Sequence, residues 1–97
     1  MSENMAMALV SAAQMTMRHS PAKALELINQ ALDNAPNYYD AHFFLGIVYR
    51  QMSQPDSAKS AFRRSQELDP DQFARDAQLY NVVDIAPQSL PPPQAAG

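Results

Sequence analysis

The sequence predicts an all-α fold of tandem antiparallel helix hairpins, and three observations carry the prediction. Glycine occurs only at Gly46 and Gly97, and Ala, Leu, Met, Gln and acidic residues outnumber β-branched ones, a balance that favours helix over sheet. Pro21, Pro36, Pro55 and Pro70 each stand where a helix can begin and not where one must continue, so they cut the chain into helix-sized pieces. The pieces also repeat: Ala12 and Gly46, Met15 and Tyr49, Pro21 and Pro55, Ala24 and Ala58, Ile28 and Phe62, and Pro36 and Pro70 are each 34 residues apart. Positions that need a small side chain and positions that need a turn recur in one register, which marks a tandem repeat.

A chain of 97 residues, 46% of them hydrophobic, has interior enough for one modest core, so a single helical domain over residues 1–85 is expected. The first helix is expected near 4–18. The second, near 21–34, opens on Ser20 as an N-cap hydroxyl with Pro21 in the first helical position. The third, near 38–52, has a weaker start in Asn37 followed three residues later by Asp40. The fourth, near 55–68, starts at Pro55. The fifth, near 71–83, follows Asp69-Pro70-Asp71-Gln72, whose acids suit the positive end of the helix dipole. In residues 86–97, Pro87 and the run Pro91-Pro92-Pro93 remove amide donors and fix extended dihedrals, so a flexible Pro-rich tail is expected there.

At fixed spacing, Leu45-Gly46, Tyr49, Ala58, Phe62 and Pro70 resemble the pattern of the tetratricopeptide repeat (TPR) family. Residues 39–72 carry nearly all of it, with His42 in place of the usual tryptophan and Ser65 where alanine is commoner. Residues 5–38 match through Ala12, Ala24, Ile28, Ala31 and Pro36, while Ala8 and Ser11 replace large residues. The resemblance implies a right-handed TPR-type α-solenoid, with helix 71–83 as a capping helix that covers the last apolar face through Leu79, Tyr80 and Val83. The spacing has a mechanical reason. Gly46 and Ala58 on facing helices let two backbones approach, and Tyr49 and Phe62 fill the space beside them. Two full repeats are fewer than such arrays usually need, so a homodimer or a bound partner is expected to add stability.

The run from Phe43 to Tyr49 makes the third helix apolar all round. Leu45, Gly46 and Tyr49 take the side toward the hairpin mate and leave Phe43, Ile47 and Arg50 at helical spacing on the other. In proteins that resemble this one, the first helix of each hairpin lines a concave groove. Carried over position by position, the resemblance implicates Leu9, Ala13, Thr16 and Met17 on the first helix and Asp40, Phe43, Ile47, Arg50 and Gln51 on the third. It adds Ala77, Asn81 and Asp84 on the fifth.

The expected function is a non-catalytic protein–protein interaction module, an adaptor or small chaperone. It would hold an amphipathic helix or apolar peptide on a floor of Leu9, Met17, Phe43 and Ile47, with Arg50 and Asp84 at the rim. The alternative is a self-associating structural or scaffold protein that uses the same surface to form a homodimer or larger assembly. Both readings need Phe43 and Ile47 open to solvent, against an arrangement in which Met15, Met17 and the capping helix bury them. The clamp with which some family members grip acidic chaperone tails is missing, because Leu9 and Ala13 stand where it needs a cation and an amide.

Other classes find little support. A net charge of −3 with scattered Lys and Arg lacks the concentrated positive field that nucleic acid requires. The densest basic group, Arg50, Lys59, Arg63 and Arg64 with Asp56 among them, reads as a solvated helix face and as a weak patch for an acidic partner. The absence of cysteine excludes disulfides and thiolate metal sites. His19 and His42 lie far apart without a carboxylate pair or a Gly-rich phosphate loop, so no catalytic site, metal or cofactor is expected. The N-terminus carries Glu3 and no base, and Met5 to Val10 is too short for a signal core or a membrane span. A soluble cytoplasmic protein without membrane insertion is the expectation.

Overall fold

The computed structural model describes residues 3–83 and residue 85; the expected tail at 86–97 and Asp84 lie outside them. The described residues form five helices and no strand: α1 (Glu3–Thr16), α2 (Pro21–Asn34), α3 (Tyr39–Gln51), α4 (Pro55–Leu68) and α5 (Pro70–Leu79). α1 packs along α2 and α3 along α4 as hairpins, and α2 against α3 and α4 against α5 join them into a stack.

Local chemistry sets most helix starts. The Ser20 hydroxyl accepts the Lys23 amide at 3.2 Å and Pro21 opens α2. The Asp69 carboxylate accepts the Gln72 amide at 3.1 Å and Pro70 opens α5. α3 starts differently from the expected Asn37 cap. Its N-cap is Tyr38, which makes no side-chain cap bond, and the Asn37 side chain instead accepts from the Arg64 guanidinium at 2.8 Å. His42 Nε2 donates to the Pro36 carbonyl at 2.8 Å and ties the turn to the first turns of α3, so the residue in the tryptophan position is a tether. α1 ends at Thr16, short of residue 18, because the Ser20 and His19 amides both turn back to the Thr16 carbonyl.

The larger departure is α5. It stops at Leu79 where the repeat predicts helix to residue 83. In register, Tyr80 falls 34 residues after Gly46, so a bulky ring stands where a hairpin needs its smallest side chain. Asn81 adopts φ 56°, and the Val82 amide reaches back to the Ala77 carbonyl at 2.8 Å. This is the left-handed stop of a Schellman-type ending, which asparagine tolerates better than most side chains. Ser53 ends α3 in the same way, with φ 60° and the Gln54 amide on the Tyr49 carbonyl at 2.9 Å. The residues expected to cover the last apolar face do so only in part: Leu79 and Val83 are each 77% exposed, and Phe73, Val82 and Ile85 are the buried ones.

α3 is the centre of the core, with Ala41, Phe43, Phe44, Gly46, Ile47 and Val48 buried. The other hairpin helices contribute one stripe each, such as Ala6, Val10 and Ala13 from α1 and Ala24, Ile28 and Ala31 from α2. Ser65 is fully buried, and its hydroxyl is satisfied by donation to the Phe62 carbonyl at 2.7 Å, which is why serine serves in an alanine position. Gly46 makes its close approach to a ring. A β-carbon there would lie 2.5 to 2.8 Å from three atoms of the Phe62 ring, which is buried and packed against Phe43 and Phe73. Gly46→Ala is therefore expected to destabilise the fold by about 1–3 kcal/mol through overpacking, although alanine is the better helix former. A thermal melt followed by circular dichroism checks this, and an unchanged or higher Tm contradicts it.

Candidate functional site

The face shared by α1, α3 and α5 is where the groove was expected, and its floor is closed. Phe43 is 0% exposed and Ile47 4%, so neither lines an open surface, and Ala13 is fully buried as well. Of the two methionines expected as cover, Met15 is largely exposed and Met17 is half-buried against the core. Phe43 sits among rings. Tyr39 stacks on it at 6.0 Å, and Phe44, Phe62, Phe73 and Tyr80 approach it at 5.4 to 6.0 Å, mostly edge-on. Tyr80 reaches Phe44 too, at 5.6 Å, so the residue that ends α5 folds back as a lid over both phenylalanines.

The remaining expected residues divide by exposure. Leu9, Thr16, Met17, Asp40 and Ala77 are half-buried, and Arg50, Gln51 and Asn81 are exposed. The Thr16 hydroxyl is used within its own helix, on the Ala12 carbonyl at 2.8 Å. Asn81 lies past the end of α5, so it joins the face through a turn and not from a helix. Arg50 bridges the two elements: its guanidinium donates to the Tyr80 carbonyl at 2.9 Å and the Asn81 carbonyl at 3.1 Å, capping the negative end of α5.

Residues not foreseen complete the surface at the other end of α3. The Tyr39 hydroxyl donates to Asp76 at 3.0 Å, and the Tyr38 hydroxyl to Asp40 at 3.4 Å. Partial burial pushes the Asp40 carboxyl up from its ordinary value; the Tyr38 hydrogen bond opposes this and the Asp76 charge adds to it. The Tyr39 phenol is raised strongly by burial, then by its bond to Asp76 and the charges of Asp76, Asp40 and Asp69. Burial raises the Tyr38 phenol too, helped by Asp40 and Glu3. The face is thus polarised, with acids and phenols at the start of α3 and Arg50 in its last turn. The tyrosines were visible in the sequence beside Asp40, but Asp76 sits where the repeat puts His42 in the previous hairpin, and nothing local marked it as their partner.

No group of three or more His, Asp or Glu among the described residues could hold a metal ion, and no helix among them is long and apolar enough to cross a membrane. What the face can do chemically is bind, through hydroxyls, carboxylates, a guanidinium and half-buried apolar side chains.

Antiparallel helix hairpins packed into one stack define a helical-repeat protein. A family model described as Tetratricopeptide repeat matches residues 16–83, from the end of α1 past α5. The chain belongs to the tetratricopeptide repeat family, whose repeats mediate protein–protein interaction. Curated relatives agree. It is 32% identical to human Superkiller complex protein 3 over 77 residues, 79% of this chain and 5% of that one. It is 35% identical to Tetratricopeptide repeat protein 37 of Xenopus laevis over 48 residues, 50% of this chain and 3% of the relative. The chain thus spans a small fraction of the relatives it matches. No solved structure matches it significantly.

Because Asp40 holds its proton more tightly folded than unfolded, its contribution to stability is present at low pH and is lost as pH rises from the ordinary carboxylate range of about 4 through the raised value. Asp40→Asn keeps an oxygen for Tyr38 and removes that loss. Its Tm at pH 7 is expected to exceed the parent's, and the gap to close as the pH is lowered below about 4; a gap independent of pH contradicts the assignment.

Proposed function

We propose that the protein is a non-catalytic interaction module that holds a segment of another protein along the face of α1, α3 and α5. The observation that carries this reading is the polarised strip over the buried Phe43 cluster. Half-buried Leu9, Met17 and Ala77 border it, Tyr38, Tyr39, Asp40 and Asp76 mark one end, and Arg50 and Gln51 the other. A floor closed by Tyr80 suits an amphipathic segment lying across the surface better than one whose side chains plunge into a deep apolar slot. The two ends have opposite charge, so such a segment reads in one direction. An adaptor or holding role follows, in whichever compartment the partner occupies.

Glutamate at Phe43 or Ile47 would break the core and test nothing about binding. The informative variants are Asp40→Asn and Gln51→Glu, which alter the two ends of the strip outside the apolar core, set against Arg63→Glu at an exposed position on α4. Cross-linking in the native lysate is expected to trap a partner with the parent and with Arg63→Glu, and to lose at least most of it with the strip double variant at unchanged helical content. Equal capture by all three overturns the reading.

Self-association keeps support from a different surface than the one expected, since Leu79 and Val83 are 77% exposed beside the half-covered Tyr80. If it operates, light scattering gives a mass that rises with concentration in the parent and stays monomeric in Leu79→Glu. A concentration-independent monomer in the parent removes it.

A further inference from the structure

Beside the turn that follows α5 lies a cavity. It has a volume of about 350 Å³ and is lined by Arg50, Pro55, Ala58, Lys59 and Phe62 and by the turn Asn81–Val83. Its floor is apolar, because Ala58, Phe62 and Val82 are all buried. Its rim is cationic. The volume is at the low end of ligand cavities, about 300–1,000 Å³, which suits a few side chains of a peptide.

The charges at the rim are disposed unequally. Arg64 is engaged with Glu67 and Asn37, which removes it from the basic group noted in the sequence. Arg50 spends two donors on the Tyr80 and Asn81 carbonyls, yet stays exposed and keeps its full charge there. Lys59 is half-buried against the floor, and among the described residues no acid stands within ion-pair distance of its ammonium. Asp56, one turn earlier on α4, is exposed and does not line the cavity. An apolar floor under two cations recognises a carboxylate attached to something greasy.

We infer that this cavity is a docking site for a partner segment that presents an acidic side chain beside a large aliphatic one. The aliphatic group seats on Ala58, Phe62 and Val82, and the carboxylate meets Lys59 and Arg50. The site is separate from the strip on α1, α3 and α5 except at Arg50 and Asn81, and it stands whether or not that strip binds anything.

The test is a titration of the ¹⁵N-labelled full chain, followed by amide shifts, with an acetylated and amidated hexapeptide that alternates leucine and glutamate. Blocked ends leave side-chain carboxylates as the peptide's acids. The inference expects shifts at Arg50, Ala58, Lys59 and Val82, about tenfold weaker binding of the leucine–glutamine counterpart, and a similar loss for the acidic peptide in Lys59→Gln. The Lys59 side chain makes no hydrogen bond or ion pair with the described residues, so that variant should keep the parent's spectrum elsewhere. Shifts confined to α1, equal binding of the glutamine peptide, or undiminished binding by Lys59→Gln overturns it. So does binding that emerges only in Asp84→Asn, because the cations would then be serving the chain's own carboxylate.

Discussion

The structure depends on the burial of one side chain, Phe43. It is fully enclosed and touches rings from α3, α4, α5 and the turn beyond α5, so the packing of the second hairpin and of the last helix meet on a single residue. Emptying a buried aromatic site costs about 3–5 kcal/mol, against a total stability of about 5–15 kcal/mol for a typical domain. The constraint propagates outward: Phe62 can reach Phe43 because Gly46 has no β-carbon in its way, and Phe73 can reach it because Asp69 and Pro70 start α5 at the right place.

That arrangement explains which parts of the fold were legible in the sequence. Helix starts at Ser20-Pro21 and Asp69-Pro70 are decided within four residues, and proline and capping oxygens announce them. The hairpin register was legible because small residues and turns recur at 34 residues. The end of α5 was not, since it is settled by contacts that join residues about thirty positions apart: Arg50 with Tyr80 and Asn81, and Tyr80 with Phe43 and Phe44. The signal lay in the failure of the repeat, with tyrosine in the glycine position.

The same contacts account for the misplaced groove floor. Helical spacing grouped Phe43 with Ile47 and set Leu45, Gly46 and Tyr49 toward the hairpin mate, but Phe43 meets Phe62 of that mate as well. Spacing alone does not say whether that side meets water or another element, and for a helix apolar all round the choice belongs to the neighbours. Here the neighbours are Phe62, Phe73 and Tyr80, whose rings together cover Phe43. The polar members of the face were easier to foresee, because Asp40, Arg50 and Gln51 carry groups that favour the surface. The Tyr39–Asp76 bond was not, as it exists only once α5 lies against α3.

Closure of the core and opening of the cavity are two results of one event. With α5 ended at Leu79, Tyr80 turns onto Phe43, Asn81 takes the left-handed conformation, and Val82 alone returns to the floor. Arg50 holds the turn by its carbonyls and so fixes the position of the cavity wall as well as its own charge. The residue that caps α5 therefore also contributes to the polarity of the adjoining cavity, and a change at Arg50 alters both together. Lys59, whose ammonium has no ion pair among the described residues, is where recognition can be separated from folding.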